Sequence, residues 1–183
     1  MKIQLINKLL LVFIISVFTH SLNAQSHKTD LSLTGGIVQD GFGVVATLDY
    51  KVNDFDFLQF NVQASFSNLE VQDVDVPVNL YAFNPGFFFD VIRNNSRKFA
   101  LSLGAGATLG YEVINNGDDK LDNGQLLLID SKFVYGAYAG IDADIFIIPT
   151  FTINIKINEM YHVNSDIGEF SPYIGVGGKL ILF

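Results

Sequence analysis

The sequence predicts an all-β fold, an eight-stranded antiparallel transmembrane β-barrel of the outer-membrane type, preceded by a cleaved signal peptide. Three observations lead there. Phe99 to Val113 reads FALSLGAGATLGYEV, in which apolar side chains or alanine hold every odd position while small or polar ones dominate the even positions. Such alternation marks a strand with two unlike faces, and at about 3.3 Å per residue this one can cross a bilayer when tilted. Similar alternation recurs down the chain with turn residues between the runs, and no later segment carries helical periodicity. The third observation is the opening, MKIQLINKLLLVFIISVFTHSLNAQ, with Lys2 and Lys8 before an apolar run from Leu9 to Phe18 and Ala24 before Gln25. That is the layout of a secretory signal, too short in its apolar core for a membrane helix. Residues 1–24 are therefore expected to be the signal peptide and residues 25–183 a single barrel domain.

Taken in order, the first strand is expected at about Leu31 to Val38 and the second at about Val44 to Val52. The third, Phe57 to Phe66, sets Leu58, Phe60, Val62, Ala64 and Phe66 against Gln59, Asn61, Gln63 and Ser65. The fourth, about Val76 to Asp90, has a weaker ladder because Pro77 and Pro85 donate no amide. Phe99 to Val113 is the fifth strand, and the longest irregular stretch, Ile114 to Lys132, follows it. The sixth is Phe133 to Asp144, the seventh Phe151 to Tyr161, and the eighth Ser171 to Phe183.

Eight antiparallel strands can close on themselves and remove their edges. In a soluble, lipocalin-like barrel the apolar face would fill the interior; in an outer-membrane barrel it meets lipid. Several features favour lipid. The other face is built of Gly, Ser, Thr, Asn and Gln, with few of the charges a solvent-exposed sheet carries. Turns after strands two, four and six are expected at about four, eight and five residues, against about five, nine, nineteen and nine after the odd strands. Short periplasmic turns and longer outer loops give that pattern. Aromatic residues gather near strand ends: Phe55, Phe57, Phe89, Phe99, Phe146, Phe151 and Phe183 at one, Tyr111, Phe133, Tyr135, Tyr161, Phe170 and Tyr173 at the other. Rings at those heights suit the two membrane interfaces. The chain also ends on a strand, GVGGKLILF, with an aromatic last residue, which resembles the carboxy-terminal signal read by the barrel-assembly machinery. The expected location is the outer membrane with both termini periplasmic.

The chemistry the chain could carry is limited. From Gln25 it holds nine basic and nineteen acidic residues, a formal charge of −10, which argues against direct contact with nucleic acid. It has no cysteine, so neither a disulfide framework nor a lipid-anchored cysteine is possible. With the polar face inside, Glu112, Asp142, Asp144 and Lys156, joined by Asp49 and Lys51, are expected to form a lumen charge network, Lys156 pairing with Asp142 on the next strand. His162 and Ser165, near Asp166 and Glu169, are the only residues that suggest a hydrolase, and a spacing of three places them on opposite faces of a continuing strand. Asp118, Asp119 and Asp122, with Asn115, Asn116 and Asn123, form an acidic loop whose spacing departs from a calcium loop because Lys120 interrupts it. The glycines of GAGATLG miss the dinucleotide-binding spacing and precede no helix, so they are read as making room inside the barrel. No catalytic residue, metal or cofactor is expected.

From Val76 onward the chain carries Arg97, Lys98 and Phe99, the phrase Leu101 to Ala105, the step Gly110, Tyr111 and Glu112, and then Phe133, Tyr135 and Gly136. In these residues it resembles the conjugal transfer protein TraO family of Bacteroidetes conjugative transposons. The resemblance covers a little over half the chain. The chain departs from the family where an arginine-glutamate-arginine step in strand seven is here Asn158, Glu159 and Met160. The resemblance implies a non-enzymatic outer-membrane component of the conjugation apparatus, with membrane lipid and other conjugation proteins as partners. The alternatives are a general small barrel for adhesion or envelope maintenance, and a lipid-modifying barrel enzyme.

Overall fold

A computed structural model describes residues 29–71, 74–93, 98–118 and 129–182. The expected signal peptide, the terminal Phe183 and the acidic-loop residues Asp119, Asp122 and Asn123 lie outside the described residues. Eight strands follow one another: β1 Thr29–Val38, β2 Gly41–Lys51, β3 Asp56–Val71, β4 Val74–Arg93, β5 Phe99–Ile114, β6 Lys132–Ile148, β7 Phe151–His162 and β8 Phe170–Leu182. Each pairs antiparallel with the next, and β8 pairs with β1, so the sheet is a closed barrel. Closure leaves no edge strand for unwanted pairing.

The hydrogen-bonded partners set the tilt. A path from Thr29 through Tyr50, Leu58, Phe87, Ala105, Ala139, Glu159 and Pro172 runs once around the barrel. Since Tyr173 pairs with Val38, that path meets β1 again at Gln39, ten residues beyond its start. With eight strands about 4.8 Å apart, this stagger inclines them by about 40° to the barrel axis.

Alternation decides the faces throughout. On β7, Thr152, Asn154, Lys156, Asn158, Met160 and His162 are buried, while Ile153, Ile155, Ile157, Glu159 and Tyr161 are exposed. The exposed wall is apolar on every strand, with Leu31, Leu33, Val44, Leu48, Val62, Leu109, Ile141, Ile174 and Val176 among its residues. At the tilt given above, the outward rings of Phe42, Phe66, Tyr81, Tyr111, Phe133, Tyr135, Tyr161 and Phe170 fall at one level. Those of Tyr50, Phe89, Phe99 and Phe151 fall about 25 Å away along the axis, the height of the apolar band of a membrane barrel. We call the first level the loop end and the second, where β1 begins and β8 finishes, the terminal end.

Two expectations about the connections change. β1 and β2 are separated by two residues, and so are β3 and β4, where longer loops were expected. The apparent loop residues continue the strands instead: Gly41 pairs with Val38, and the β3–β4 ladder runs out to Val71 opposite Val74. Asp40 supplies the left-handed residue of the first tight turn, with φ 54°. The long connection is the one after β5, which leaves the strand through Asn115, Asn116 and Gly117, all at positive φ. Asparagine and glycine are the residues that accept that conformation most easily. On β4 the ladder to β5 skips Asn84 and Pro85, whereas the ladder to β3 is continuous through both. The proline is thus accommodated by a local gap on one side of a 20-residue strand, whose ladder to β5 shifts register once more between Asp90 and Ile92.

Candidate functional site

The polar face of the barrel points into the lumen, and the charges there gather toward the terminal end. Lys156 and Asp142 are cross-strand neighbours on β7 and β6, and the Lys156 ammonium donates to both Asp142 oxygens at 2.7 Å. Both side chains are fully excluded from solvent. Gln59 on β3 reaches across the lumen: its amide donates to Asp142 Oδ2 at 2.7 Å and to Asp49 Oδ1 at 3.0 Å, and its carbonyl accepts from Asn61 and from Lys156. Lys179 on β8 bridges Asp144 at 2.8 Å and Asp49 at 3.1 Å, and Asn154 donates to the other Asp144 oxygen. Lys51 pairs with Asp30 at 3.6 Å and lies over the ring of Phe57. Buried charges on four strands, Asp49, Asp142, Asp144, Lys156 and Lys179, are therefore held with Gln59 in one connected set of hydrogen bonds and ion pairs, and Asp30 and Lys51 form a separate pair beside it.

Of the four residues singled out from the sequence, Asp142, Asp144 and Lys156 meet in or beside this set. Glu112 does not. It sits buried near the loop end, where Ser165 Oγ donates to it at 2.8 Å and Lys132 is its cross-strand neighbour, itself paired to Asp166 at 2.5 Å. His162 is also buried at that end, with Thr108 Oγ1 3.5 Å away. The hydroxyl of Ser165 is thus committed to a carboxylate, and no His162–Ser165 hydrogen bond forms.

Lys179 and Gln59 are the residues that sequence reading missed. Lys179 shares the parity of Gly175 and Gly177 on β8, so alternation does place it inside. Gln59 has no charge to mark it, and its role depends on a contact between strands 83 residues apart in sequence.

The lumen is not uniformly polar. Phe57 stacks on Phe88 with ring centres 5.6 Å apart, and Phe88 meets Tyr138 at 6.2 Å, with Met160 packed against this cluster. Phe57 and Tyr173, expected in the membrane-facing belts, point inward instead. Phe57 has the parity of Gln59 and Asn61, and the Tyr173 hydroxyl bonds to Thr34 at 2.8 Å. Glycine makes the rings fit: a Cβ on Gly104 would lie 2.3 Å from the Phe88 ring, and one on Gly175 would lie 2.2 Å from the Tyr173 hydroxyl. Open space remains at the two ends, about 830 Å³ at the terminal end between Asp30, Lys51, Asp144, Thr152 and Lys179, and about 90 Å³ at the loop end beside Glu112 and His162. Between them Gln59, Asn61, Gln63, Tyr138, Lys156 and Asn158 are all within 3% of complete burial. This buried middle separates the two end spaces.

The family model described as conjugative transposon protein TraO matches residues 22–182. The chain belongs to the TraO family. Among curated proteins none matches it. Solved structures of the same fold include Ail, the attachment invasion locus protein of Yersinia pestis, with TM-score 0.54 and 12% identity over 85% of this chain and 100% of that one. Neisserial surface protein A aligns with TM-score 0.51 and 14% identity over 85% of this chain and 95% of its own. The N-terminal β-barrel domain of Pseudomonas aeruginosa OprF gives TM-score 0.51 and 9% identity over 85% and 98%. At such identities the likeness speaks for the TraO chain's fold, that of the outer-membrane barrels.

Proposed function

We propose that this TraO family protein is a structural, non-enzymatic outer-membrane component of a conjugative transposon transfer apparatus. The match of the family model across nearly the whole barrel carries the reading. The apolar wall between two aromatic belts supports residence in a membrane, and the packed lumen supports a scaffold or anchor over a conduit. In this reading residues 1–24 are the secretory signal, both termini face the periplasm, and the lumen charges Asp142, Asp144 and Lys156, with Glu112 near the loop end, serve the fold. Its partners are outer-membrane lipid and other conjugation proteins, with the final strand ending at Phe183 recognised by the barrel-assembly machinery. Nucleic acid is not contacted directly.

The test is a clean deletion of the gene in a donor strain, with transposon transfer frequency as the readout. Loss of transfer, restored by the gene in trans, is expected. Undiminished transfer would remove the protein from the apparatus.

A further inference from the structure

The outward wall between the two aromatic belts carries a single charge among the described residues. It is Glu159 on β7. Its side chain is exposed and makes no hydrogen bond or ion pair with any described residue, and its cross-strand neighbours are Ala139 and Pro172. It lies two residues before Tyr161 on a strand inclined by about 40°, which puts it about 5 Å inside the loop-end belt. A carboxylate at that depth replaces water with hydrocarbon and gains nothing in return unless a cation meets it.

The surface beside it is lower than the rest of the wall. Ala139 pairs with Ala105 and Ala137 with Ala107, so four outward alanines on β5 and β6 lie side by side, directly adjoining Glu159 and Tyr161. Phe87 borders this floor on β4, and Tyr135 and Ile141 rise from it on β6. Small residues let a second backbone approach closely inside a membrane, where packing and polar contacts rather than the hydrophobic effect drive association.

We propose that this face docks a membrane-embedded segment of another protein, one that presents a lysine or arginine to Glu159. The proposal rests on the outer-membrane reading above. Charge complementarity selects the occupant. Among the described residues, the outward wall between the belts offers no lysine or arginine, since Lys51, Lys132, Lys156 and Lys179 all belong to inward positions. A second copy of this chain would therefore bring no cation to the carboxylate. The phosphate groups of lipids would repel it unless a divalent cation intervened.

The full-length protein, expressed in donor cells that carry the transposon, tests this with a photoreactive amino acid at Ala139 and, as a control, at Val62, which faces outward on β3. The expected result is an adduct from position 139 only, mapped by mass spectrometry to a membrane-spanning segment with a lysine or arginine at the crosslinked depth. Glu159→Gln lowers its yield on the order of fivefold or more, as loss of a polar contact between membrane segments does. Charge reversal at both Glu159 and the partner's basic residue restores it. An adduct only with a second copy, or only with lipid, overturns the proposal. So does a partner segment without a basic residue, a yield unchanged by Glu159→Gln, or an adduct abolished by chelating divalent cations. Heat-modifiable migration in the outer-membrane fraction is scored for every variant. Its absence from the unmutated protein would overturn the membrane reading itself, and the docking face with it.

Discussion

Lys156 illustrates how the barrel handles charge. A buried ammonium is tolerated because Asp142 accepts from it twice and Gln59 ties both to Asp49. Replacing it by methionine removes the counter-charge but leaves the carboxylate buried, a loss of about 3–5 kcal/mol. The double change Lys156→Met with Asp142→Leu is expected to recover much of that, because no uncompensated charge remains. Urea unfolding of the barrel in lipid vesicles checks both, and a single variant as stable as the parent would show that the pair is dispensable. Gly104 makes the complementary point about volume. A Cβ there would lie 2.3 Å from the Phe88 ring and 2.6 Å from the Phe87 carbonyl oxygen, so Gly104→Ala should cost about 1–3 kcal/mol by forcing the ring and the neighbouring strand aside. Adding Phe88→Leu should return part of it in the same unfolding assay.

At the level of elements, strand identity was legible because each strand is a local period-two pattern, as in Phe57 to Phe66 or Phe133 to Asp144. The ends of elements were less so. Gly41 and Gly43 read as turn residues, yet both lie in β2, since glycine in a strand is limited by what pairs beside it rather than by its own preference. The β5–β6 connection is the long one on the loop end. With both termini periplasmic, an epitope inserted near Asp119 should be reached by antibody on intact cells. Failure to label it, with the protein present in the outer membrane, would count against that orientation.

For the whole molecule, a ten-residue stagger over eight strands gives a lumen just wide enough for side chains to fill. They do fill it: rings and amides occupy the middle, and the spaces at the two ends do not join through the buried residues between them. Purified protein in planar lipid bilayers is accordingly expected to give no lasting conductance steps. A stable open channel would mean that the lumen rearranges in the membrane. The charged cluster was only partly visible in the sequence. Asp142 and Lys156 are paired by adjacent strands, which alternation and topology together foresee, whereas the contact of Gln59 with Asp142 crosses the closed barrel.

The number of strands, which residues share a face and, through the phrases around Phe99 and Tyr111, the family are legible in the chain alone. All of these are local properties: period two, turn chemistry and short motifs survive without knowing what lies across the lumen. Closure of the barrel is what places Glu112 apart from Asp142, Asp144 and Lys156, brings the Tyr173 hydroxyl to Thr34, and sets the depth of Glu159 in the outer wall. Each of those depends on the stagger with which β8 closes on β1. That stagger sets the height of every residue on the axis and its partners across the lumen, and no single strand contains it.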